Sequence, residues 1–325
     1  MRKNRVVLVA AAAGIAMALT ACSSSVQTGG GGQSSGEKLL GIVSITANEA
    51  GNAAFIASAT KAAEQAGWKV EVVDAQGDAA KGNAAMKEFV TKGAGMIMDL
   101  TFPPTSLGAG IAAAKQAHIP VGSWTGGTGD GIVMNTGNGG PVATIVTEAL
   151  VRDLGGKGEV LALTYRGGQA CIDREKGFDA VMAQSPNIKV TKMEVTIPGF
   201  LTDGAKDATA YLAARPAGSG PLAIWGCWDD PTLGAISALK QLGRTDVKTY
   251  GIVGSVTAIA AVKDGSMTAT VAENVAVEAT TTFQTMQQAI AAGASWTPKT
   301  IDVPAQLIDS TTIDGYLASH PGILK

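Results

Sequence analysis

LLGIVSITANEAGNAAFIASATKAAEQAGWKVEVVD, residues 39–74, is the stretch on which the fold turns. Residues 39–45 form a run rich in Ile, Leu and Val, with Ser44 its one polar residue and no polar alternation. Such a run reads as a strand buried on both faces. A polar loop follows, then an alanine-rich stretch over 53–66 that reads as a helix, stopped by Gly67. A second apolar run begins at Val70. Strand, helix and strand in this order predict a βαβ unit with parallel strands. The pattern repeats outward. Further strands are expected at 96–100, 120–123, 132–135, 159–163, 190–195, 222–225, 249–253 and 268–271. Helices are expected at 81–91, 106–117, 141–154, 174–184, 203–214, 231–242, 256–263 and 275–292. The class is therefore α/β, with sheets covered on both faces. Gly243 stops a helix as Gly67 does, and Asp230-Pro231 reads as an N-cap followed by proline in the first turn.

The strand-and-helix pattern occupies roughly 290 residues, more than one compact domain usually holds, so two lobes are expected. The two halves look alike, each opening on an apolar strand and a polar loop. The net charge of −2 comes with no basic stripe, which excludes nucleic acid as a partner. No second long apolar segment follows the N-terminal one, so the body is expected to be soluble.

That N-terminal segment reads as an export signal. Arg2, Lys3 and Arg5 precede an apolar run from Val6 to Leu19, too short to span a membrane comfortably. Leu19-Thr20-Ala21-Cys22 resembles the bacterial lipobox, whose cysteine is lipidated. Residues 1–21 are thus expected to be a signal peptide, with Cys22 lipidated and residues 22–37 a Gly/Ser-rich flexible tether. The expected location is the extracytoplasmic face of the cell membrane, lipid-anchored. A plain signal peptide or signal anchor is the alternative.

Five segments carry a family resemblance: LLGIVS (39–44), AKQAHIPV (114–121), REKGF (174–178), LGAISAL (233–239) and VKDGSMTAT (262–270). In this order and spacing the chain resembles the ribose/galactose-type periplasmic binding proteins, the type 1 solute receptors of ABC importers. The resemblance implies two Rossmann-like lobes joined by a three-segment hinge. The first lobe would comprise 38–135 plus 273–303, and the second 136–272 plus 304–325. Helix 275–292 would then return to the first lobe. It also implies a monomer that captures a small solute, such as a sugar or polyol, and delivers it to an ABC permease. No cofactor or metal is expected. In such receptors ligands sit beyond the carboxyl ends of the strands, and closure follows because ligand touches both lobes.

The resemblance also points to a site. The loop at 46–52 falls where the family makes polar and aromatic contacts, which singles out Asn48, Glu49 and Asn52. Arg174 matches the family's ligand-binding arginine at the head of its helix. Trp124 and Thr125 stand where sugar binders carry an Asp-Arg pair. Trp228 replaces an asparagine, Asp229 matches the aspartate that follows it, and Glu273 falls at a hinge glutamine. Two indoles gained in a chain only 5% aromatic suggest a ring-bearing or modified solute. Each residue has a plainer role open to it: Trp124 and Trp228 packing at lobe edges, Arg174 on a helix surface, and Asp229 as a cap. Cys171 and Cys227 both follow second-lobe strands and form a candidate disulfide, with two buried thiols as the alternative.

Other signals fail. The glycine-rich stretch at 126–131 lacks a P-loop lysine, and His118 and His320 have no metal-ligand neighbours in sequence. No nucleophile elbow is present, so an enzyme is not expected. A sensory binding protein serving a chemoreceptor or histidine kinase is the alternative function, since the same fold would serve, and an extracytoplasmic enzyme is the less favoured one.

Overall fold

The computed structural model describes residues 38–137 and 139–324. The first half of the chain runs β1 (Leu39–Ser44), α1 (Ala50–Gln65), β2 (Lys69–Asp74), α2 (Ala79–Thr91), β3 (Met96–Leu100), α3 (Gly108–Gln116), β4 (Val121–Trp124) and β5 (Ile132–Thr136). The second half runs α4 (Gly139–Asp153), β6 (Gly158–Thr164), α5 (Gln169–Met182), β7 (Ile188–Glu194), α6 (Phe200–Ala213), β8 (Leu222–Gly226), α7 (Asp229–Gln241), β9 (Val247–Val253), α8 (Val256–Asp264) and β10 (Ala269–Ala272). The last elements are α9 (Val275–Ala292), β11 (Lys299–Ile301), β12 (Gln306–Asp309) and α10 (Ile313–Ser319).

Two sheets result, ordered β11-β5-β4-β3-β1-β2 and β12-β10-β9-β8-β6-β7. Without their edge strands β11 and β12 both show the same doubly wound order, and every pairing is parallel except β10 with β12. The chain leaves the first sheet after β5 and returns after β10 with α9, which packs on α1, β4 and β5. It then adds β11 to the first sheet and β12 to the second. The expected α/β fold with two lobes is the one observed.

The apolar runs form strands because both faces are covered. All six residues of β1 are buried, as are all five of β3 and all five of β8. One core cluster fills the α1/α9 side of the first sheet and continues into the second lobe, while a second lies under α2 and α3. Glu49 and Asp78 cap α1 and α2, and Gly67 and Gly243 take left-handed conformations just beyond α1 and α7. Helices α6 and α7 touch backbone to backbone at Gly204 and Gly234, where a Cβ would strike the carbonyls of Pro231 and Leu201. Among the described residues no helix is long and apolar enough to cross a membrane.

Most expected boundaries shift by a few residues, and two of the shifts bear on the site. α5 begins at Gln169, so Arg174 lies in its second turn and not at its head. α7 begins at Asp229 with Trp228 at the N-cap, so Asp230 is not the cap. The export signal, Cys22 and the tether lie outside the described residues.

Candidate functional site

A cavity of about 40 Å³ lies between the lobes, where the carboxyl ends of both sheets face each other. Its first wall comes from the loop after β1 and the first turn of α1, from the residue past β3, and from the end of β4 and the residue after it: Thr46, Glu49, Asn52, Thr101, Trp124 and Thr125. Its second wall comes from residues past β6 and β8, from the end of β9 and from the first two turns of α5: Tyr165, Trp228, Val253, Cys171 and Arg174, with Ile197 beyond β7.

The first wall is a closed chain of hydrogen bonds. Glu49 accepts from Gly51 N–H at 2.9 Å and Asn52 N–H at 2.8 Å, so its side chain caps α1. Asn52 Nδ2 donates to Glu49 Oε2 at 3.0 Å, while Thr101 Oγ1 donates to Asn52 Oδ1 at 3.3 Å. Thr101 and Thr125 hydroxyls lie 3.1 Å apart. Both threonines hold left-handed backbone, with φ of 78° and 56°, which turns the chain sharply off β3 and β4. Burial pushes the Glu49 carboxyl up to about 7; the nearby Asp230 adds to the shift, while the α1 amides and Arg174 oppose it. Trp124 stacks on Phe55 with ring centroids 4.7 Å apart, and its Nε1–H donates to Glu278 at 2.7 Å.

The second wall is built around Arg174, whose side chain is 4% exposed. Its Nη1 donates to the Cys227 carbonyl at 2.9 Å and its Nη2 to Glu273 at 2.7 Å. A disulfide joins Cys171 in the first turn of α5 to Cys227, tying that helix to the loop carrying Trp228. The Trp228 ring meets Tyr165 and Phe200 edge to face, with centroids 6.2 and 5.6 Å away. Among the described residues Arg174 Nε and Trp228 Nε1 are buried without an aligned hydrogen-bond partner. The Asp230 carboxyl comes near the Trp228 indole without meeting that alignment.

Six of the nine expected contact residues thus share the cavity: Glu49, Asn52, Trp124, Thr125, Arg174 and Trp228. Three do not line it. Asn48 is exposed and accepts a hydrogen bond from Thr46. Asp229 faces away, bracing the second sheet: one carboxylate oxygen accepts Ser255 N–H and the other Thr270 Oγ1–H. Its carboxyl is raised to about 7 by burial, with those donors opposing the shift. Glu273 is turned onto Arg174. Tyr165, Thr101 and Ile197 also line the cavity and were not singled out from the sequence. Thr101 and Tyr165 are the first residues past β3 and β6, so a rule taking the residue just past each buried strand would have found these two.

Residues 40–294 match the periplasmic binding protein domain family. The chain belongs to this family. Among curated relatives, the ribose import binding protein of Haemophilus influenzae is 28% identical over 66% of this chain and 73% of its own length. The xylitol-binding protein of Mycolicibacterium smegmatis is 30% identical over 63% of this chain and 58% of its own length. Among solved structures, an ABC transporter solute binding protein from Agrobacterium vitis with bound allitol superposes with a TM-score of 0.81 at 25% identity. That match covers 87% of this chain and 99% of the other. As in other periplasmic binding proteins, the site joins two lobes and so suits solute capture.

Proposed function

We propose that this protein captures a small sugar or polyol between its lobes and passes it, chemically unchanged, to an ABC permease. The observation that carries the reading is Arg174 Nε–H, a buried donor without an aligned partner on a residue that lines a cavity with indole and phenol rings. A buried donor without an acceptor is unfavourable, and a hydroxyl-bearing solute supplies acceptors while its C–H faces lie on the rings. The ribose, xylitol and allitol binders among its relatives support this chemistry. The lobes would divide as 38–135 plus 273–303 and 136–272 plus 304–325, closing as a monomer on the solute. Leu19-Thr20-Ala21-Cys22 supports lipid anchoring on the extracytoplasmic face, close to the permease.

A thermal-shift screen of pentoses, hexoses and polyols, followed by calorimetry on the hits, tests the reading. At a hundredfold excess over Kd a ligand stabilises by about 2.7 kcal/mol, which is readily seen. If no sugar or polyol raises the Tm at millimolar concentration while another solute class does, the reading fails.

A further inference from the structure

The segment that returns the chain from the second sheet to the first carries two buried acids, Glu273 and Glu278, which reach opposite walls of the cavity. Glu273 Oε2 accepts from Arg174 Nη2 at 2.7 Å, and Glu278 Oε2 accepts from Trp124 Nε1 at 2.7 Å. Glu278 is 2% exposed and does not line the cavity; Trp124 does.

An indole has a single donor, so its Nε1–H is the one polar point by which a protein can fix the ring's rotation. Phe55 holds one face of Trp124 at an interplanar angle of 25°, and stacking alone leaves the ring free to slide. The acid that fixes it stands on firm backbone. The Glu278 carbonyl accepts Thr282 Oγ1–H at 2.8 Å, and the Thr282 hydroxyl meets that of Thr136 on β5 at 2.7 Å. The charged groups acting on Glu278 are Glu273 and Arg174. β4 and β5 contribute no ionisable side chain, and Lys61 and Glu64 lie in the far half of α1. Burial, with repulsion from Glu273, holds the Glu278 carboxyl up at about 7 against the pull of Trp124 N–H and Arg174.

We propose that Glu278 is the positioning residue for the Trp124 wall: its carboxyl sets the ring orientation against which the solute lies. With Glu273 doing the same for Arg174, one hinge segment orients both walls. The inference rests on the cavity being the solute site.

The test uses the full chain labelled with 15N, xylitol as probe, and the variants Glu278→Gln and Glu278→Ala. Trp124→Phe identifies the Trp124 indole resonance. In solute-free wild type that resonance should be sharp and should titrate with a midpoint near 7. Glu278→Gln should keep it sharp, abolish the titration and bind xylitol within about threefold of wild type, because an amide carbonyl still accepts the bond. Glu278→Ala should shift and broaden it and weaken xylitol binding by about tenfold or more. The proposal is overturned if Glu278→Ala leaves the resonance unmoved, or if Gln and Ala impair binding equally in step with a loss of Tm. A wild type that ignores xylitol counts against a polyol ligand, while the solute-free resonances still decide the role of Glu278.

Discussion

The two walls of the cavity solve opposite problems. In the first lobe, Thr125, Thr101, Asn52 and Glu49 satisfy one another in a chain of hydrogen bonds that ends at the α1 amides. In the second lobe, Arg174 and Trp228 are locked in place by Glu273, the Cys227 carbonyl and the disulfide, yet among the described residues Arg174 Nε–H is left without an aligned partner. The difference teaches that the first lobe offers a finished polar surface, and the second offers unmet demand. A solute that brings acceptors is therefore drawn mainly to the second wall, and closure adds the first.

Arg174 is the place to break this comparison. Arg174→Met removes the cation from a buried pair and leaves Glu273 uncompensated. The expected loss is about 3–5 kcal/mol of folding stability and at least about a hundredfold in solute affinity. Urea unfolding and calorimetry read the two effects separately. A variant that binds as tightly as wild type would mean that the second wall does not draw the solute.

Arg174 also marks the limit of what could be read in advance. The run 39–74 resolves into β1, α1 and β2 because its apolar density and its Gly67 stop are local properties. β11 and β12 were invisible: three and four residues, mostly polar, become strands only because the edges of finished sheets await them. At the site, sequence pointed to Arg174 but not to its partner geometry, which joins residues 99 positions apart. Glu278 could not be found at all. It looks like an ordinary acid in the first turn of a helix until β4 brings Trp124 to it from 154 positions away. Asp229 misled for the converse reason. A matching residue type said nothing of Ser255 and Thr270, which occupy both of its oxygens.

The disulfide sharpens the comparison at the next level of effect. It closes a separation of 56 residues within the second lobe. Replacing both cysteines with serine should reduce stability by about 2–4 kcal/mol. It should also weaken binding, because the Cys227 carbonyl orients Arg174 and the next residue is Trp228. Denaturation and calorimetry of the double variant beside wild type would show whether stability and affinity fall together. Stability lost with affinity intact would reduce the bond to a staple, with no part in shaping the wall.

The smallest expected effect belongs to the first wall and concerns protons. Glu49 is held at about 7 in the fold against an ordinary 4.5. Between those values the folded protein binds more protons at this group than the unfolded chain does. Its contribution to stability therefore falls as pH rises through that window and levels off above 7. The slope for one such group is about 1 kcal/mol per pH unit. Glu278 and Asp229 are raised in the same direction, so wild type should be distinctly more stable at pH 5 than at pH 7. Glu49→Gln deletes one of these contributions, and its stability curve should be shallower by about 1 kcal/mol per pH unit between pH 5 and 7. Parallel curves for variant and wild type would place the proton elsewhere. The distinction bears on the site itself: a protonated Glu49 offers the cavity an O–H donor, whereas an ionised one offers only acceptors. A shallower curve would mean that the first wall, complete in its own hydrogen bonds, still has a hydrogen to give to a solute oxygen below pH 7.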